Sequence, residues 1–259
     1  MKVVILAGGY GTRISEESHL KPKPMLEIGA RPILWHIMRY YSHFGFNDFV
    51  ICCGYKGWMI KEYFANYYLR HADMTFDFRN QGAVEIHSNL SEPWHVTLVD
   101  TGANTQTGGR IKRIGPYLDN QPFMLTYGDG VSNVDLHALT AQHQQSNATV
   151  TLTAIQPSGR FGVLDLNDNT VTAFREKAVE DAAWINGGFM VANPQLLDYI
   201  KGDATILEQA PLQNLSSQGK LEVYKHTGFW ACMDTQRDKQ ALEQAWEAGT
   251  APWKVWGNS

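Results

Sequence analysis

The sequence predicts an α/β fold, in which a Rossmann-like, mostly parallel central sheet carries helices on both faces and an added mixed β region. Three observations favour it. Short, wholly apolar runs end at glycine, as strands buried on both faces do. These runs alternate with segments of helical periodicity, and a strand–helix–strand order implies parallel strands joined by right-handed crossovers. After residue 148 the segments become short and strand-like, which predicts mixed strands added to the parallel core.

The first half of the chain supplies the parallel core. The continuous apolar run at 3–6 predicts a first strand, and mainly apolar runs predict further strands at 49–53, 96–99 and 123–126. Apolar residues at helical spacing predict helices at 33–44, 59–68 and 110–118. Alternating apolar residues within 74–95 predict a β-excursion between two of these units.

The second half elaborates the same domain. Strands are predicted at 149–155, 161–166, 170–175, 185–192 and 221–225, and helices near 194–201 and 234–248. No repeat, low-complexity stretch or linker separates the halves, so we expect a single domain spanning residues 1–259.

Composition excludes several classes of protein. A 44% hydrophobic and 19% charged chain of 259 residues is not disordered. The formal net charge of −4 argues against a nucleic-acid partner, although a few local cations would suffice for a small phosphorylated ligand. The three cysteines lack metal-site spacing. No signal peptide and no apolar run of membrane-spanning length is present, so we expect no membrane association and a cytoplasmic protein.

A glycine-rich segment, Leu6-Ala7-Gly8-Gly9-Tyr10-Gly11-Thr12-Arg13, directly follows the first strand. Glycines let a backbone approach a ligand and point N–H groups at an anion, and Arg13 adds a bidentate cation suited to phosphate. The segment matches neither standard phosphate signature, and the alternative is a plain turn with a surface arginine.

Lys23 is flanked by Pro22 and Pro24. The prolines deny the segment a helix and hold it extended, so the ammonium is presented from a stiff backbone. We interpret Lys23 as a second cation at the same crevice, against the alternative of a solvated linker.

Two aspartates follow apolar runs and are candidates for a metal site. Asp129 lies between Gly128 and Gly130, and Asp234 follows Met233. Mg²⁺ bound with a nucleotide commonly takes one or two carboxylates. The alternatives are a turn residue for Asp129 and a helix N-cap for Asp234.

Weaker motifs lie at predicted helix starts and strand edges. Thr107-Gly108-Gly109-Arg110 begins a predicted helix. Its small residues would let a flat nucleotide base lie against the backbone; the alternative is that the motif is a plain helix N-cap. Taken alone, the remaining motifs indicate only turns; they contain Gly162, Glu176, Lys177, Asn186 and Gly188.

Together and in this order, these segments resemble the sugar-1-phosphate nucleotidyltransferase family over essentially the whole chain. Within the family, further strings resemble the members that join CTP to glucose 1-phosphate. These strings include Cys52-Cys53-Gly54-Tyr55-Lys56-Gly57, Glu92-Pro93-Trp94, Asp100-Thr101-Gly102 and Ala251-Pro252-Trp253-Lys254. The resemblance implies a nucleotide-diphospho-sugar transferase-like fold, with residues 1–148 as the nucleotide-binding core and 149–259 as the sugar-binding and C-terminal elaboration.

The resemblance also implies roles for the candidate residues. The catalytic set would be Arg13, Lys23, Asp129 and Asp234, with Asp129 and Asp234 holding Mg²⁺. The nucleotide, CTP, would be bound by Leu6, Ala7, Gly8, Gly9, Tyr10, Gly11, Thr12, Arg13, Lys23, Thr107, Gly108, Gly109, Arg110 and Gly128. The sugar 1-phosphate would be bound by Gly162, Glu176, Lys177, Asn186 and Gly188. A homo-oligomer, with a hexamer as one form, is a further implication, and Trp246, Trp253 and Trp256 are candidates for its interface.

Three alternatives compete with this interpretation, and the sequence argues against two of them. The same chemistry could use UTP or dTTP or another hexose 1-phosphate, since Ala178 stands where the family usually has a proline after the Glu-Lys pair. A catalytically silent nucleotide-sugar-binding regulatory module should have lost Arg13, Lys23, Asp129 or Asp234, and all four are present. A glycosyltransferase of related fold would hold its metal with a DxD motif, which Asp129-Gly130-Val131 does not supply.

Overall fold

The computed structural model describes residues 1–11, 20–157, 163–167, 170–175 and 183–257. Its strands, numbered in chain order, are β1 Val3–Ala7, β2 Glu27–Ile28, β3 Arg31–Pro32, β4 Asp48–Cys53, β5 Ala72–Asp77, β6 Ala83–Asn89, β7 His95–Asp100, β8 Phe123–Tyr127, β9 Gly130–Ser132, β10 Val150–Ile155, β11 Val163–Asn167, β12 Thr170–Arg175, β13 Ile185–Asn186, β14 Met190–Ala192, β15 Leu221–His226 and β16 Trp230–Cys232.

Helices connect and cover these strands. The α-helices are α1 Ile33–His43, α2 Gly57–Ala65, α3 Tyr67–Arg70, α4 Thr107–Arg113, α5 Leu136–Gln145, α6 Ala210–Ser217 and α7 Gln236–Glu247. Short 3₁₀ helices span Lys23–Met25, Phe78–Asn80, Gly115–Tyr117 and Pro194–Tyr199.

The central sheet has eight strands in the order β13-β10-β14-β8-β1-β4-β7, with β15 pairing on β10. Strands β8, β1, β4 and β7 are mutually parallel, whereas β14 is antiparallel to both β8 and β10. The first half of the chain therefore builds a parallel core, and the second half extends it through antiparallel pairs and through the parallel pair of β10 and β15. This confirms the predicted α/β class.

Strand β1 shows why its sequence is continuously apolar. Val3, Ile5 and Ala7 pack into one hydrophobic cluster, while Val4 and Leu6 pack into another. Because successive side chains of a strand point to opposite faces, the two clusters lie on opposite faces of the sheet. Helix α1 packs its apolar stripe into the first cluster, and Ile111 of α4 packs into the second.

Four predicted elements differ from the structure. In the first half, the helix predicted at 59–68 is divided into α2 and α3, and the one predicted at 110–118 is α4 followed by a 3₁₀ helix. The strand predicted at 185–192 is two short strands, β13 and β14, because Gly188 and Phe189 adopt positive φ of 75° and 42° between them. The Asn186 side chain accepts a hydrogen bond from the Gly188 N–H and stabilises this interruption. The helix predicted near 194–201 is a 3₁₀ helix that begins at Pro194.

Helices α5 and α6 were not predicted, since each buries only a few residues and shows weak periodicity. In α5 the buried residues are Leu136, Leu139 and His143, and Asp135 caps the first turn through the Ala138 N–H. In α6 the buried residues are Pro211, Leu212 and Leu215.

The interpretation of the C-terminal tryptophans as interface residues was wrong for Trp253 and Trp256, and it stays a prediction for the partly exposed Trp246. Trp253 is fully buried within this chain and Trp256 is 9% exposed, so neither is free to form a subunit interface. Trp253 donates through Nε1 to His36 at 3.4 Å, and Trp256 packs edge-on to Trp35. The C-terminal segment therefore seals the cluster over α1.

Strands β5 and β6 form a separate antiparallel hairpin, which is the excursion predicted within 74–95. Among the described residues, no helix has the length and apolar character needed to cross a bilayer.

Candidate active site

A pocket of about 480 Å³ opens at the carboxyl ends of β1 and β8, where ligands bind in open α/β sheets. Its walls come from the end of β1 and the glycine loop after it, the Lys23 segment, the loop from 103 to 107, the residues at the end of β8, and the single residues Arg110 and Asp234. Lys23, Asp129 and Asp234 share this pocket.

Lys23 is held rigidly. It opens the 3₁₀ helix Lys23–Met25, so the prediction of an extended, non-helical segment was wrong: Pro22 is the N-cap and Pro24 lies in the first turn, where a missing N–H costs no hydrogen bond. The residue is 9% exposed. Its Nζ donates to Asp129 Oδ2 at 2.7 Å and to Asp234 Oδ1 at 2.5 Å. The prolines therefore direct the ammonium between two carboxylates.

A short strand pair brings the two aspartates together. Strand β16 pairs antiparallel with β9, and Cys232 lies opposite Gly130. The Met233 N–H also donates to the Asp129 carbonyl oxygen at 2.9 Å. Because Asp129 precedes β9 and Asp234 follows β16, antiparallel pairing leaves both carboxylates at the same end. The cap of α7 is Thr235 and not Asp234.

The charges of this cluster raise the pKa of Lys23. Burial by itself would lower the pKa of the Lys23 ammonium, but the Asp129 charge and the hydrogen bonds to Asp129 and Asp234 outweigh it, so this pKa lies above its ordinary value. Lys23 is therefore a fixed positive charge at neutral pH.

The donor set suits a hard divalent cation. Ligand atoms of Asp129, Cys232 and Asp234 lie within 4.8 Å of one another, so a single ion could contact both carboxylates. Mg²⁺ prefers carboxylate, phosphate and water oxygens, so the two aspartates fit it and the thiol does not take part. Burial raises the pKa of the Cys232 thiol well above its usual range, which keeps it protonated.

Arg110 holds the glycine loop after β1 through a hydrogen bond to Gly8. Its Nη2 donates to the Gly8 carbonyl oxygen at 2.8 Å, and its Nη1 donates to Thr101 Oγ1 and the Gly102 carbonyl oxygen, both at 2.7 Å. A Cβ at Gly8 would overlap the guanidinium, so glycine is required here by protein packing. Arg110 borders the pocket but is 4% exposed, and its donors are engaged with protein acceptors.

Only part of the predicted base-binding motif, Thr107-Gly108-Gly109-Arg110, lines the pocket. Thr107 lines the pocket, and its hydroxyl donates to Glu208 Oε2 at 2.7 Å. Gly108 and Gly109 are not among the pocket-lining residues. A Cβ on either would meet the backbone of Thr205 or Asp203, so these glycines serve helix packing against the 203–207 segment.

Of the predicted sugar-binding residues, Asn186 and Gly188 lie beside the pocket wall. Asn186 Nδ2 donates to the Tyr127 hydroxyl at 3.2 Å, and a Cβ at Gly188 would touch the Tyr127 ring. Tyr127 itself lines the pocket and donates to Glu208 Oε1 at 2.6 Å. Tyr127 and Glu208 thus link the two sides of the site.

The other predicted positions divide between the pocket and the undescribed part of the chain. The pocket is lined by Leu6, Ala7, Gly8, Gly9, Tyr10, Gly11 and Gly128. Thr12, Arg13, Gly162, Glu176 and Lys177 lie outside the described residues.

Sequence reasoning missed part of the wall. Residues 103–106 line the pocket, and Asn104 Oδ1 accepts a 2.5 Å hydrogen bond from the Tyr10 hydroxyl. The available signal was position, since this loop follows β7 at the carboxyl edge of the sheet.

Known proteins have sequences similar to this chain. The glucose-1-phosphate cytidylyltransferase of Salmonella typhimurium is 55% identical over 257 residues, covering 99% of this chain and all of the relative. The D-glycero-alpha-D-manno-heptose 1-phosphate guanylyltransferase of Aneurinibacillus thermoaerophilus is 30% identical, covering 76% of this chain and 77% of the relative.

Solved structures of low sequence identity share the fold. A UDP-glucose pyrophosphorylase complexed with UDP-glucose superposes with a TM-score of 0.68 at 16% identity, covering 96% of this chain and 98% of that one. The inositol-1-phosphate CTP transferase from T. maritima gives a TM-score of 0.65 at 14% identity, covering 99% and 98%. The family model for nucleotidyl transferases matches residues 2–230, and the chain belongs to the nucleotidyl transferase family.

Proposed function

We propose that this enzyme transfers CMP from CTP to α-D-glucose 1-phosphate, forming CDP-glucose and pyrophosphate. The observation that carries the proposal is the convergence of Lys23, Asp129 and Asp234 in one pocket at the carboxyl edge of the sheet. The choice of CTP and glucose 1-phosphate is supported by the 55% identical relative, whose name gives that activity.

The chemistry is an in-line displacement. A phosphate oxygen of glucose 1-phosphate attacks the α-phosphorus of CTP, the bond from that phosphorus to the β-phosphate oxygen breaks, and pyrophosphate leaves. The sugar phosphate is already ionised at neutral pH, so no general base is needed. The task of the protein is to position two anions and neutralise their charge.

Lys23 suits this task because its backbone is fixed by two prolines and its ammonium is charged and buried. We assign it to the α-phosphate and the sugar phosphate, where negative charge accumulates in the transition state. Asp129 and Asp234 would hold Mg²⁺, which when bound supplies charge neutralisation on the nucleotide phosphates. Arg13 is proposed to contact the triphosphate.

The pocket walls suit the rest of the nucleotide and the sugar. We propose that the loop from Gly8 to Gly11 and residues 103–107 hold base and ribose, and that Tyr127, Asn186 and Gly188 border the sugar. Gly162, Glu176 and Lys177 complete the proposed sugar site. Arg110, which the sequence assigned to nucleotide binding, acts in this proposal by holding the loop.

We further propose a cytoplasmic homo-oligomer. The β5–β6 hairpin exposes apolar side chains, and Phe76 and Phe78 stack on each other at 6.2 Å on the surface. Such a patch favours association between subunits. Light scattering after size exclusion should give a mass of several times 29.1 kDa, with a hexamer as the form that the resemblance implies, and a monomer at micromolar concentration would contradict the proposal.

A pyrophosphate-release matrix tests the proposed function. The purified enzyme is assayed with CTP, UTP, dTTP, ATP and GTP against several sugar 1-phosphates, with and without Mg²⁺. We expect release with CTP and glucose 1-phosphate to exceed every other pair by at least tenfold in kcat/KM. A different preferred pair would correct the substrate, and no release with any pair would indicate a regulatory module.

A further inference from the structure

A second cavity, of about 220 Å³, lies away from the catalytic pocket. One side is formed by the segment around β2 and β3, with Lys21 and Arg31, and the other by α2, α3 and the residue after them, with Tyr63, Arg70 and His71. None of these five residues lines the catalytic pocket. The cavity is therefore a separate site with several hydrogen-bond donors.

Arg31 is held in position at this cavity without a carboxylate partner. His71 Nδ1 contacts the Tyr67 carbonyl oxygen at 2.8 Å, which makes that nitrogen the donor, so His71 Nε2 accepts from Arg31 Nη1 at 2.8 Å. The guanidinium also lies 5.4 Å from the centre of the Trp35 ring. Among the residues that the structure describes, Arg31 forms no ion pair, so its charge and its remaining N–H groups are available.

The Tyr63 O–H is a second donor at this cavity. Tyr63 is 7% exposed and its oxygen is buried; the Arg31 side chain approaches that oxygen, but an arginine only donates, so in the described part of the chain the O–H has no acceptor. Leaving such a group unsatisfied costs about 1–3 kcal/mol, which a ligand oxygen would recover. Burial raises the pKa of Tyr63 to about 12, partly offset by the nearby Arg31 charge, so the hydroxyl keeps its proton at neutral pH.

The charge of the cavity favours an anion. Lys21 and Glu27 neutralise each other at 2.7 Å. Arg31 and Arg70 then face a single remaining carboxylate, Glu62, which leaves a net positive charge among the lining residues. The Arg70 guanidinium lies over the Tyr63 ring, 5.8 Å from its centre.

We propose that this cavity binds a phosphate group, with Arg31, Tyr63 and Arg70 as its donors. The three donors come from three elements, β3, α2 and α3, and all three line the cavity. A phosphate group offers several oxygens, so it can accept from more than one of them. A volume of 220 Å³ equals several water molecules at about 30 Å³ each, enough for inorganic phosphate or a small phosphate monoester. Lys21 and Met25 border this cavity, whereas Lys23 between them borders the catalytic pocket, so the bound phosphate would touch the segment that carries Lys23.

Calorimetric titration at constant ionic strength tests the proposal, with inorganic phosphate and glycerol 1-phosphate as separate probes. Wild type and Lys23→Ala should both bind at least one probe, because Lys23 belongs to the other pocket. Arg31→Gln should weaken that binding at least tenfold, while Arg79→Gln, on the exposed hairpin, should bind as wild type does. The tighter probe identifies the source of the phosphate.

Tyr63→Phe keeps the test decisive if Arg31→Gln does not fold. Removing a buried hydroxyl whose O–H has no acceptor should preserve or raise the melting temperature without phosphate, and phosphate should raise that temperature less than in wild type. Three results would each overturn the proposal. Wild type binds neither probe at 10 mM, a dissociation constant that corresponds to about 2.7 kcal/mol of binding free energy; wild type and Arg31→Gln bind equally; or Lys23→Ala loses all binding.

Discussion

The Met233 N–H donates a 2.9 Å hydrogen bond to the Asp129 carbonyl oxygen, and this contact extends the β9–β16 pair up to the two carboxylates of the site. Asp129 and Asp234 owe their proximity to this pair of three-residue strands. Lys23 then lies between the carboxylates because Pro22 and Pro24 leave its backbone little freedom.

Replacing the Lys23 ammonium should abolish most turnover and leave the fold intact. We expect Lys23→Ala to lower kcat about 10²- to 10³-fold, the usual cost of losing one fixed donor at a transition-state charge. Steady-state pyrophosphate release measures the effect, with Lys61→Ala on the exposed face of α2 as control. A kcat within threefold of wild type would remove Lys23 from the mechanism.

Neutralising one carboxylate should weaken the response to magnesium. Asp129→Asn and Asp234→Asn each replace a charged carboxylate by a neutral amide of similar shape. We therefore expect the Mg²⁺ concentration for half-maximal activity to rise at least tenfold. The exposed Asp198→Asn is the matched control. If either site variant titrates with Mg²⁺ as wild type does, that aspartate does not hold the metal.

Loss of the Arg110 guanidinium should affect both stability and nucleotide binding. Arg110→Met leaves the Gly8 and Gly102 carbonyl oxygens without their donor, which we expect to cost about 2–4 kcal/mol of unfolding free energy. The KM for CTP should rise more than kcat falls, since the loop positions the nucleotide. Arg113→Met, whose arginine pairs with Asp203 on the surface, provides the comparison, and equal effects of the two variants would contradict this role.

Buried His36 should make the protein less stable in mild acid. Burial lowers its pKa from 6.5 to about 4, so the folded state keeps the ring neutral while the unfolded state takes up a proton. The stabilisation is complete above pH 6.5 and is lost as the pH falls from there towards 4, by about 1.4 kcal/mol per unit.

Urea unfolding at pH 7 and pH 5 measures this effect. Wild type should lose about 2 kcal/mol more than His36→Gln between the two pH values. His43→Gln, which changes an exposed residue at the end of α1, should follow wild type. Parallel losses in wild type and His36→Gln would show that His36 does not titrate as described.

The parallel core could be predicted from the sequence, because a strand buried on both faces needs a continuous apolar run such as residues 3–7. It could not show that Asp129 and Asp234 meet, since strands of three residues are too short for any periodicity. Glycines were ambiguous for a physical reason: Gly8 and Gly109 both avoid a clash with protein atoms, yet only Gly8 borders the pocket. A local motif does not distinguish close approach of a ligand from close approach of another segment.

Transfer of an isotope label tests the central claim most directly. Glucose 1-phosphate carrying ¹⁸O in its non-bridging phosphate oxygens is converted with unlabelled CTP, and both products are analysed by mass spectrometry. Because a sugar phosphate oxygen attacks the α-phosphorus, we predict that all of the label remains in CDP-glucose and that pyrophosphate is unlabelled. Label in pyrophosphate, or no CDP-glucose from these two substrates, would contradict the account.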